Sequence, residues 1–252
     1  EFFNYIGKTL ENVEPQDITN FYNYLQERPN KHTGGGLSES YINHHIYALK
    51  LFFSLQMETG SINENPISVL EFPQPQSKPR EILTVKEIKE LYNACESLKD
   101  RAIIALFYGC GLRRTEGEKL NVKDVHFRSG LLYVREGKGA KRRVVPLSQR
   151  VAGDIKEYVF NERFSKENEL ALITNQIGRR TSGDSFNKIL KRILERAGVN
   201  KQITLHCLRH SIATHLLESG LSVEYVRDFL GHKHLESTQI YTRVNQKQLY
   251  KL

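Results

Sequence analysis

Cysteine is scarce in this 252-residue sequence, and long hydrophobic runs are absent from it. Its three cysteines, Cys95, Cys110 and Cys207, are too widely spaced to form a disulfide framework or a cysteine-rich zinc motif. No apolar stretch approaches the roughly 20 residues that cross a bilayer, and no basic-then-apolar signal opens the chain. We therefore expect a protein of the reducing cytoplasm without a membrane partner. Because the first residue is Glu1 rather than methionine, we also expect the sequence to start inside a larger protein.

Positive charge exceeds negative charge in the composition. Thirty-seven Lys and Arg residues against 29 Asp and Glu residues give a net charge of +8. Such an excess favours a polyanionic partner, because basic side chains release the counterions condensed on phosphates. Since many basic proteins bind no nucleic acid, net charge alone does not identify the partner, and the assignment depends on the sequence motifs.

The length is sufficient for two domains that each bury a core. In the first part, apolar residues at helical spacing predict one helix that begins at Pro15 and a second that begins after Ser38. Four prolines between Pro66 and Pro79 favour an extended tether. We predict a helical domain over residues 1–72, a linker over 73–81 and a second domain over 82–252.

The second domain is predicted to combine helices with a small β-hairpin. It opens with a capping box from Thr84 to Glu87. Two β-prone runs, 131–134 and 143–147, flank a basic, glycine-containing turn, and 172–174 could add an edge strand. The fold class is therefore mainly α with a small β-hairpin or sheet. Three later runs share apolar helix faces: Phe186, Ile189, Leu190, Ile193 and Leu194; Leu205, Leu208, Ile212 and Leu216; and Val223, Val226 and Leu230.

Several segments carry side chains suited to chemistry. His206 and Arg209 stand at i and i+3 of one predicted helix and should project from the same flank, where an exposed helix face is the plain alternative. Arg113 follows a glycine-marked reversal, where an ordinary turn with an ion pair to Glu116 is the plain alternative. The other candidates, each also explicable as a solvated or packed side chain, are Lys138, His232 and Tyr241.

In order and spacing, these segments resemble the motifs of the tyrosine recombinase (phage integrase) family, which includes the Xer-like site-specific recombinases. Gly-Leu-Arg-x-x-Glu at 111–116 is similar to the first arginine box of the family, and Gly-Lys-Gly-x-Lys at 137–141 is similar to its lysine turn. His-x-x-Arg-His at 206–210 resembles the second arginine box. Leu-Gly-His at 230–232, followed by Tyr241, resembles the third histidine and the nucleophile. The sequence departs from the family pattern, which has apolar residues there, at Arg114, Gly117 and Glu118.

The resemblance implies an architecture and an activity. Residues 1–72 are expected to form an N-terminally truncated helical core DNA-binding domain, and residues 82–252 a mixed α/β catalytic domain. The implied enzyme cleaves and rejoins duplex DNA through a 3′-phosphotyrosyl intermediate and exchanges strands via a Holliday junction, in mobile-element integration or excision or in chromosome-dimer resolution. It needs no metal, ATP or other cofactor, and it assembles on its double-stranded site as a homo-tetramer or as a hetero-tetramer with a paralogue. The implied catalytic residues are Arg113, Lys138, His206, Arg209, His232 and Tyr241.

Elementary chemistry agrees with these roles. A phenol oxygen can conserve the energy of a phosphodiester in a covalent intermediate. Two guanidiniums offer planar forks of donors to the charge on the non-bridging oxygens. A lysine on a hairpin tip can protonate the departing 5′ oxygen. We expect His206 to act as a general acid/base and His232 to donate a hydrogen bond to the phosphate.

Other functions stay open from the residues alone. A non-catalytic DNA-binding regulator would use residues 213–231 as a helix-turn-helix. A type IB topoisomerase-like enzyme would share the nucleophile and the arginines but would rejoin only the original strand. No His-Glu-x-x-His motif supports a zinc hydrolase. The histidines that such a hydrolase would draw on are His206, His210, His215, His232 and His234.

Overall fold

The computed structural model describes residues 1–30, 34–73, 81–134 and 143–231. The chain divides into two compact units, Glu1–Pro79 and Arg80–Leu252. Each unit has its own hydrophobic core. The fold is mainly α-helical with a small sheet, as predicted. Among the described residues, no helix combines the length and the apolar character needed to cross a membrane.

The described part of the first unit is mainly helical, and its two longest helices start where the sequence predicts. Pro15 occupies the first turn of the second helix, where its missing N–H costs nothing. Ser38 caps the third helix, because its Oγ accepts the N–H of Tyr41 over 3.2 Å. The elements are α1 (Phe2–Ile6), a 3-10 turn (Leu10–Asn12), α2 (Pro15–Glu27) and α3 (Glu39–Glu58).

The end of the first unit corrects one prediction. The extended tether was expected from Pro66 onwards, yet residues 66–69 form turns, and apolar side chains as far as residue 72 pack against the first core. Ile67 is 2% exposed, and the ring of Phe72 lies 5.0 Å from that of Tyr22. The apolar side chains between the prolines are the physical reason, since burying them outweighs the preference of proline for extended chain. Residues 74–80 lie outside the described residues.

The second unit begins with the predicted capping box. The Oγ1 atom of Thr84 accepts the N–H of Glu87, and the carboxylate of Glu87 accepts the N–H of Thr84. Turns of π-helix at Ala105–Gly109 and Tyr158–Glu162 extend two of the helices, and a 3-10 turn occupies Val122–Asp124. The helices are α4 (Val85–Asn93), α5 (Leu98–Ile104), α6 (Arg114–Lys119), α7 (Gln149–Glu157), α8 (Gly183–Arg196), α9 (Leu205–Glu218) and α10 (Val223–Leu230).

An antiparallel sheet contains the predicted hairpin. Its strands are β1 (Val125–His126), β2 (Leu131–Val134) and β3 (Arg143–Pro146), in the order β1-β2-β3. Strand β2 pairs with β3 so that Val134 faces Arg143. Strand β1 was not foreseen, because two residues are too few to show an alternating pattern. The tip of the hairpin, residues 135–142, lies outside the described residues.

Two local predictions are wrong. Residues 172–174 do not extend the sheet: the N–H of Leu172 donates to the carbonyl of Leu120 over 2.9 Å, and Thr174 forms an isolated bridge with Arg180. The hydrogen-bonding groups of this segment are therefore used by nearby loops. Val223 is 65% exposed, because it stands at the first position of α10 and the buried face begins only at Val226.

Two chain reversals meet beside α9. The π-turn ends at Gly109, and the chain turns back through Gly111, which has a φ of +56°. Helix α10 ends at Leu230, and Gly231 with a φ of +70° caps it. A Cβ atom at Gly111 would lie 2.7 Å from Cδ2 of Leu230, so the two reversals touch and only glycine fits the first. The contact brings the first arginine motif next to the chain that leads to His232.

Candidate active site

Arg113 is the N-cap residue of α6, just beyond the reversal at Gly111. Its backbone N–H donates to Oε2 of Glu116 over 2.7 Å, and its Nη1 donates to Oε1 over 2.7 Å. One carboxylate thus caps the helix and holds the guanidinium. The predicted ion pair exists, but it is not an ordinary surface pair, because the side chain of Glu116 is only 1% exposed.

The same carboxylate binds two further arginines. Nη1 and Nη2 of Arg143 donate to Oε1 and Oε2 of Glu116 over 3.2 and 3.0 Å. Nη1 of Arg209 lies 3.8 Å from Oε2. Three guanidiniums from α6, β3 and α9 therefore share one buried carboxylate.

Backbone carbonyls complete the arginine cluster, which we define as Arg113, Arg143, Arg209 and Glu116. Nη1 and Nη2 of Arg209 donate to the carbonyls of Gly111 and Leu230. Arg143 donates to the same two carbonyls, over 3.4 Å to Gly111 and 2.7 Å to Leu230. Nη2 of Arg113 reaches the carbonyl of Gly231 at 3.4 Å. The two touching reversals are thus the frame on which the guanidiniums are aligned.

Positive charge is in excess in this cluster. Burial, together with the guanidiniums of Arg143 and Arg113, lowers the pKa of Arg209 to about 9, and Glu116 opposes this shift. The side chain of Arg209 nevertheless stays protonated at neutral pH. Three cations face one anion, which makes the cluster a favourable place for a further anion with oxygen acceptors, such as a phosphate.

His206 lies at the surface and Arg209 lies in the interior, which corrects the prediction that both project from one flank of the helix. Arg209 is 3% exposed, whereas His206 is exposed to solvent. Three residues correspond to a rotation of roughly 300° around the helix axis, so the two side chains point about 60° apart. That angle is enough for Arg209 to face the interior while His206 stays at the edge of the buried face. Nε2 of His206 lies 2.9 Å from Nε2 of His210, so one ring donates and the other accepts.

The sequence matches the phage integrase family over residues 81–248. The chain belongs to this family and is a tyrosine recombinase. Tyrosine recombinase XerD of Oceanobacillus iheyensis is 35% identical to it over 249 residues, which cover 96% of this chain and 81% of that protein.

Solved structures of the family share the fold. The Tn1549 transposon integrase, in complex with circular intermediate DNA, is 20% identical with a TM-score of 0.72, and the match covers 94% of this chain and 85% of the integrase. The XerH site-specific recombinase, bound to its difH substrate, is 25% identical with a TM-score of 0.65, and the match covers 96% of this chain and 71% of XerH.

The predicted site residues of this tyrosine recombinase divide into two groups. Arg113 and Arg209 are brought together around Glu116, and His206 stands on the same helix as Arg209. The remaining three lie outside the described residues: Lys138, His232 and Tyr241.

The departures from the family pattern have clear packing partners. Gly117 lets the ring of Phe107 approach, because a Cβ atom there would lie 2.5 Å from Cζ of the ring. Arg114 pairs with Asp184 at the start of α8, with Nη1 2.6 Å from Oδ1. These contacts join α6 to the π-turn at Phe107 and to the start of α8.

Arg143 is a residue that the sequence analysis missed. The sequence places it only within a β-prone run, whereas its side chain is 3% exposed and contacts Glu116. An arginine within an apolar strand, at a position that alternation assigns to the interior, is the signal that could have found it.

The described residues contain no cluster of three His, Cys, Asp or Glu side chains that could hold a metal. Of the histidines considered for a zinc hydrolase, His215 is turned into the core, where its Nδ1 lies 2.9 Å from the hydroxyl of Tyr108. That hydrogen bond occupies one of its two ring nitrogens.

Proposed function

We propose that this tyrosine recombinase cleaves and rejoins duplex DNA at a specific site through a covalent 3′-phosphotyrosyl intermediate on Tyr241. The observation that carries the proposal is the arginine cluster, with its surplus of positive charge and its preorganised donors. Such donors stabilise the charge that spreads over the non-bridging oxygens during phosphoryl transfer. The described parts of the chain supply this stabilisation from guanidiniums.

The proposed reaction runs as an exchange of esters. The phenol oxygen of Tyr241 attacks the phosphorus, the bond to the 5′ oxygen breaks, and Lys138 gives that oxygen its proton. Attack by the 5′ hydroxyl of another strand reverses the step and releases the tyrosine. Exchange of one pair of strands forms a Holliday junction, and exchange of the second pair resolves it. Because the ester is conserved, no ATP is consumed. No metal is required, because the guanidiniums stabilise the charge on the phosphate. His206 assists proton transfer at the tyrosine, and His232 donates a hydrogen bond to the phosphate.

Double-stranded DNA is the proposed partner. The net charge of +8 suits a polyanion. The structures of the Tn1549 integrase and XerH, which contain DNA, support this assignment. We assign residues 1–72 to core-site binding, 73–81 to the linker and 82–252 to catalysis, and we propose that the chain assembles on DNA as a tetramer.

A trapping experiment tests the proposal. Duplexes selected by the protein from a randomised library would be nicked close to the cleavage position, so that the short product strand diffuses away. Incubation with EDTA should leave the protein on the DNA in a denaturing gel. Tyr241→Phe should bind the duplex and give no adduct.

The outcomes distinguish the rival functions. Binding without any adduct in the wild-type protein would favour a non-catalytic helix-turn-helix regulator. An adduct that rejoins only its original strand, with no product joining two sites, would favour a type IB topoisomerase-like enzyme. Loss of the adduct in EDTA would indicate a metal-dependent reaction.

A further inference from the structure

Arg143 occupies a central position in the arginine cluster, although it is not among the six proposed catalytic residues. It is the first residue of β3 and therefore follows the hairpin turn that carries Lys138 in the sequence. Its side chain is 3% exposed, the same fraction as that of Arg209. A buried guanidinium at this depth needs a defined set of partners.

The partners of Arg143 are the acceptors that align the two proposed phosphate-binding arginines. It binds both oxygens of Glu116, which also hold Arg113. It donates to the carbonyls of Gly111 and Leu230, which also accept hydrogen bonds from Arg209. Arg143 thus fixes the positions of groups to which both other guanidiniums are bound.

The carbon chain of Arg143 also supports the reversal after α10. A Cβ atom at Gly231 would lie 2.7 Å from Cδ of Arg143, so the backbone at Gly231 rests against this side chain. Gly231 precedes His232 in the sequence. Movement of Arg143 would therefore shift the carbonyls of Leu230 and Gly231 together.

We propose that Arg143 is a positioning residue for DNA cleavage: by bridging Glu116, Gly111 and Leu230, it sets the relative placement of Arg113 and Arg209. The inference rests on the proposed function. Lysine cannot replace it, because an ammonium group is a single point of donation and cannot span two carboxylate oxygens and two carbonyls. The role differs from stability alone, since the helices can stay packed while the guanidiniums lose alignment.

The test compares Arg143→Lys with a matched variant in the full chain. Arg163→Lys is the control, because Arg163 also bridges several acceptors of the second unit: its Nη2 donates to the carbonyls of Glu169 and Ala171, both over 2.8 Å. For each protein we would measure the melting temperature, the affinity for the selected duplex and the single-turnover rate of adduct formation. Rates are compared at a temperature at which every variant is folded by circular dichroism.

Arg143→Lys should bind DNA nearly as well as the wild-type protein and cleave it about 100-fold more slowly, the loss expected when reacting groups are displaced by about 1 Å. Arg163→Lys should lower the melting temperature and leave cleavage unchanged. If Arg143→Lys does not fold, Arg143→Gln, which keeps an uncharged donor at this position, is measured instead and should show the same loss.

A second substrate tells which group Arg143 positions. A 5′-bridging phosphorothioate releases a thiolate that needs little protonation. If Arg143 aligns the arginines, this substrate should not restore the rate of Arg143→Lys. Restoration of the cleavage rate would overturn the proposal, because it would indicate that Arg143 positions the hairpin turn of Lys138 and not the arginines.

Other results also contradict the proposal. Cleavage by Arg143→Lys at the wild-type rate would contradict it. An equal fall in the cleavage rate of Arg163→Lys would also contradict it, because that fall would indicate a purely structural role for Arg143. Arg113→Ala and Tyr241→Phe are run in parallel. If the wild-type protein forms no adduct, or if Tyr241→Phe still forms one, the proposed function itself is wrong. The proposed role of Arg143 is then wrong as well, because it depends on that function.

Discussion

The hydroxyl of Tyr108 and Nδ1 of His215 lie 2.9 Å apart in the core of the second unit. Burial lowers the pKa of His215, while Glu218 and the backbone of Leu83 oppose the shift. Burial raises the pKa of Tyr108 to about 12. Both groups are therefore neutral at neutral pH, and their hydrogen bond joins α9 to the π-turn that leads into the arginine cluster.

We expect acid to destabilise the protein through His215. Because the folded pKa is depressed, the unfolded chain takes up a proton as the pH falls through about 6.5, while the folded chain resists it. The free energy of unfolding should therefore fall from that pH down to the folded pKa and then level off. His215→Gln should remove this part of the pH dependence, measured as urea unfolding between pH 7.5 and 5. The exposed His44 provides the control variant His44→Gln, and an unchanged slope in His215→Gln would contradict the expectation.

Gly117→Ala should destabilise the protein, although alanine is the better helix former. The added Cβ atom would lie 2.5 Å from the ring of Phe107, and such overpacking costs about 1–3 kcal/mol. Gly153→Ala in α7 is the matched control, since a Cβ atom there meets nothing within 4 Å. It should stabilise the protein by about 0.5–1 kcal/mol. Chemical denaturation checks both signs, and a stabilising Gly117→Ala would mean that Phe107 moves aside freely.

Glu116→Gln should be strongly destabilising. It leaves three guanidiniums around an uncharged amide, and breaking a buried ion pair costs about 3–5 kcal/mol. Glu90→Gln is the control, because Glu90 is 41% exposed and its carboxylate lies 3.9 Å from Lys86. Exposed pairs of this kind contribute about 0–1 kcal/mol. The comparison needs urea unfolding at one pH, and equal effects of the two substitutions would show that the charge of Glu116 contributes little.

Lys138 and Arg113 should respond differently to the leaving group. If Lys138 protonates the 5′ oxygen, a 5′-bridging phosphorothioate should restore cleavage by Lys138→Ala. Arg113→Ala should stay slow by about 10²–10³-fold, because the charge on the phosphate is still unsupported. Single-turnover adduct formation gives both rates. Equal rescue would make Lys138 another phosphate contact, and no rescue of Lys138→Ala would transfer the acid role to His206.

Local patterns predicted most of the helices. The capping box at Thr84, the serine cap at Ser38 and the stripe Phe186 to Leu194 depend on neighbours within one or two turns, and all of them are confirmed. The hairpin was predicted for the same reason, since two β-prone runs that flank a glycine-containing turn are a local signal. The short pairings of β1 with β2 and of Thr174 with Arg180 were missed, because two residues or a single bridge are too few to show an alternating pattern.

The candidate site was predicted only in part. The resemblance of the motifs to those of the family identified Arg113 and Arg209 as site residues. The i, i+3 spacing of His206 and Arg209 did not predict that Arg209 is buried. The shared role of Glu116 was also hidden, because Arg-x-x-Glu at a helix start looks like a local ion pair. The contact of Glu116 with Arg143 spans 27 residues of sequence and is created only by packing β3 against α6. Long-range contacts of this kind have no local signal.

The carbonyls of Gly111 and Leu230 stand where helical segments end, so the negative ends of peptide dipoles point at the guanidiniums. Peptide groups hold cations in place without carrying a net charge and without titrating. Carboxylates at the same two places would hold the arginines equally well, but they would cancel the positive potential that attracts a polyanion. By using backbone in place of acidic side chains, the fold keeps its guanidiniums ordered without cancelling their positive charge over the whole neutral pH range.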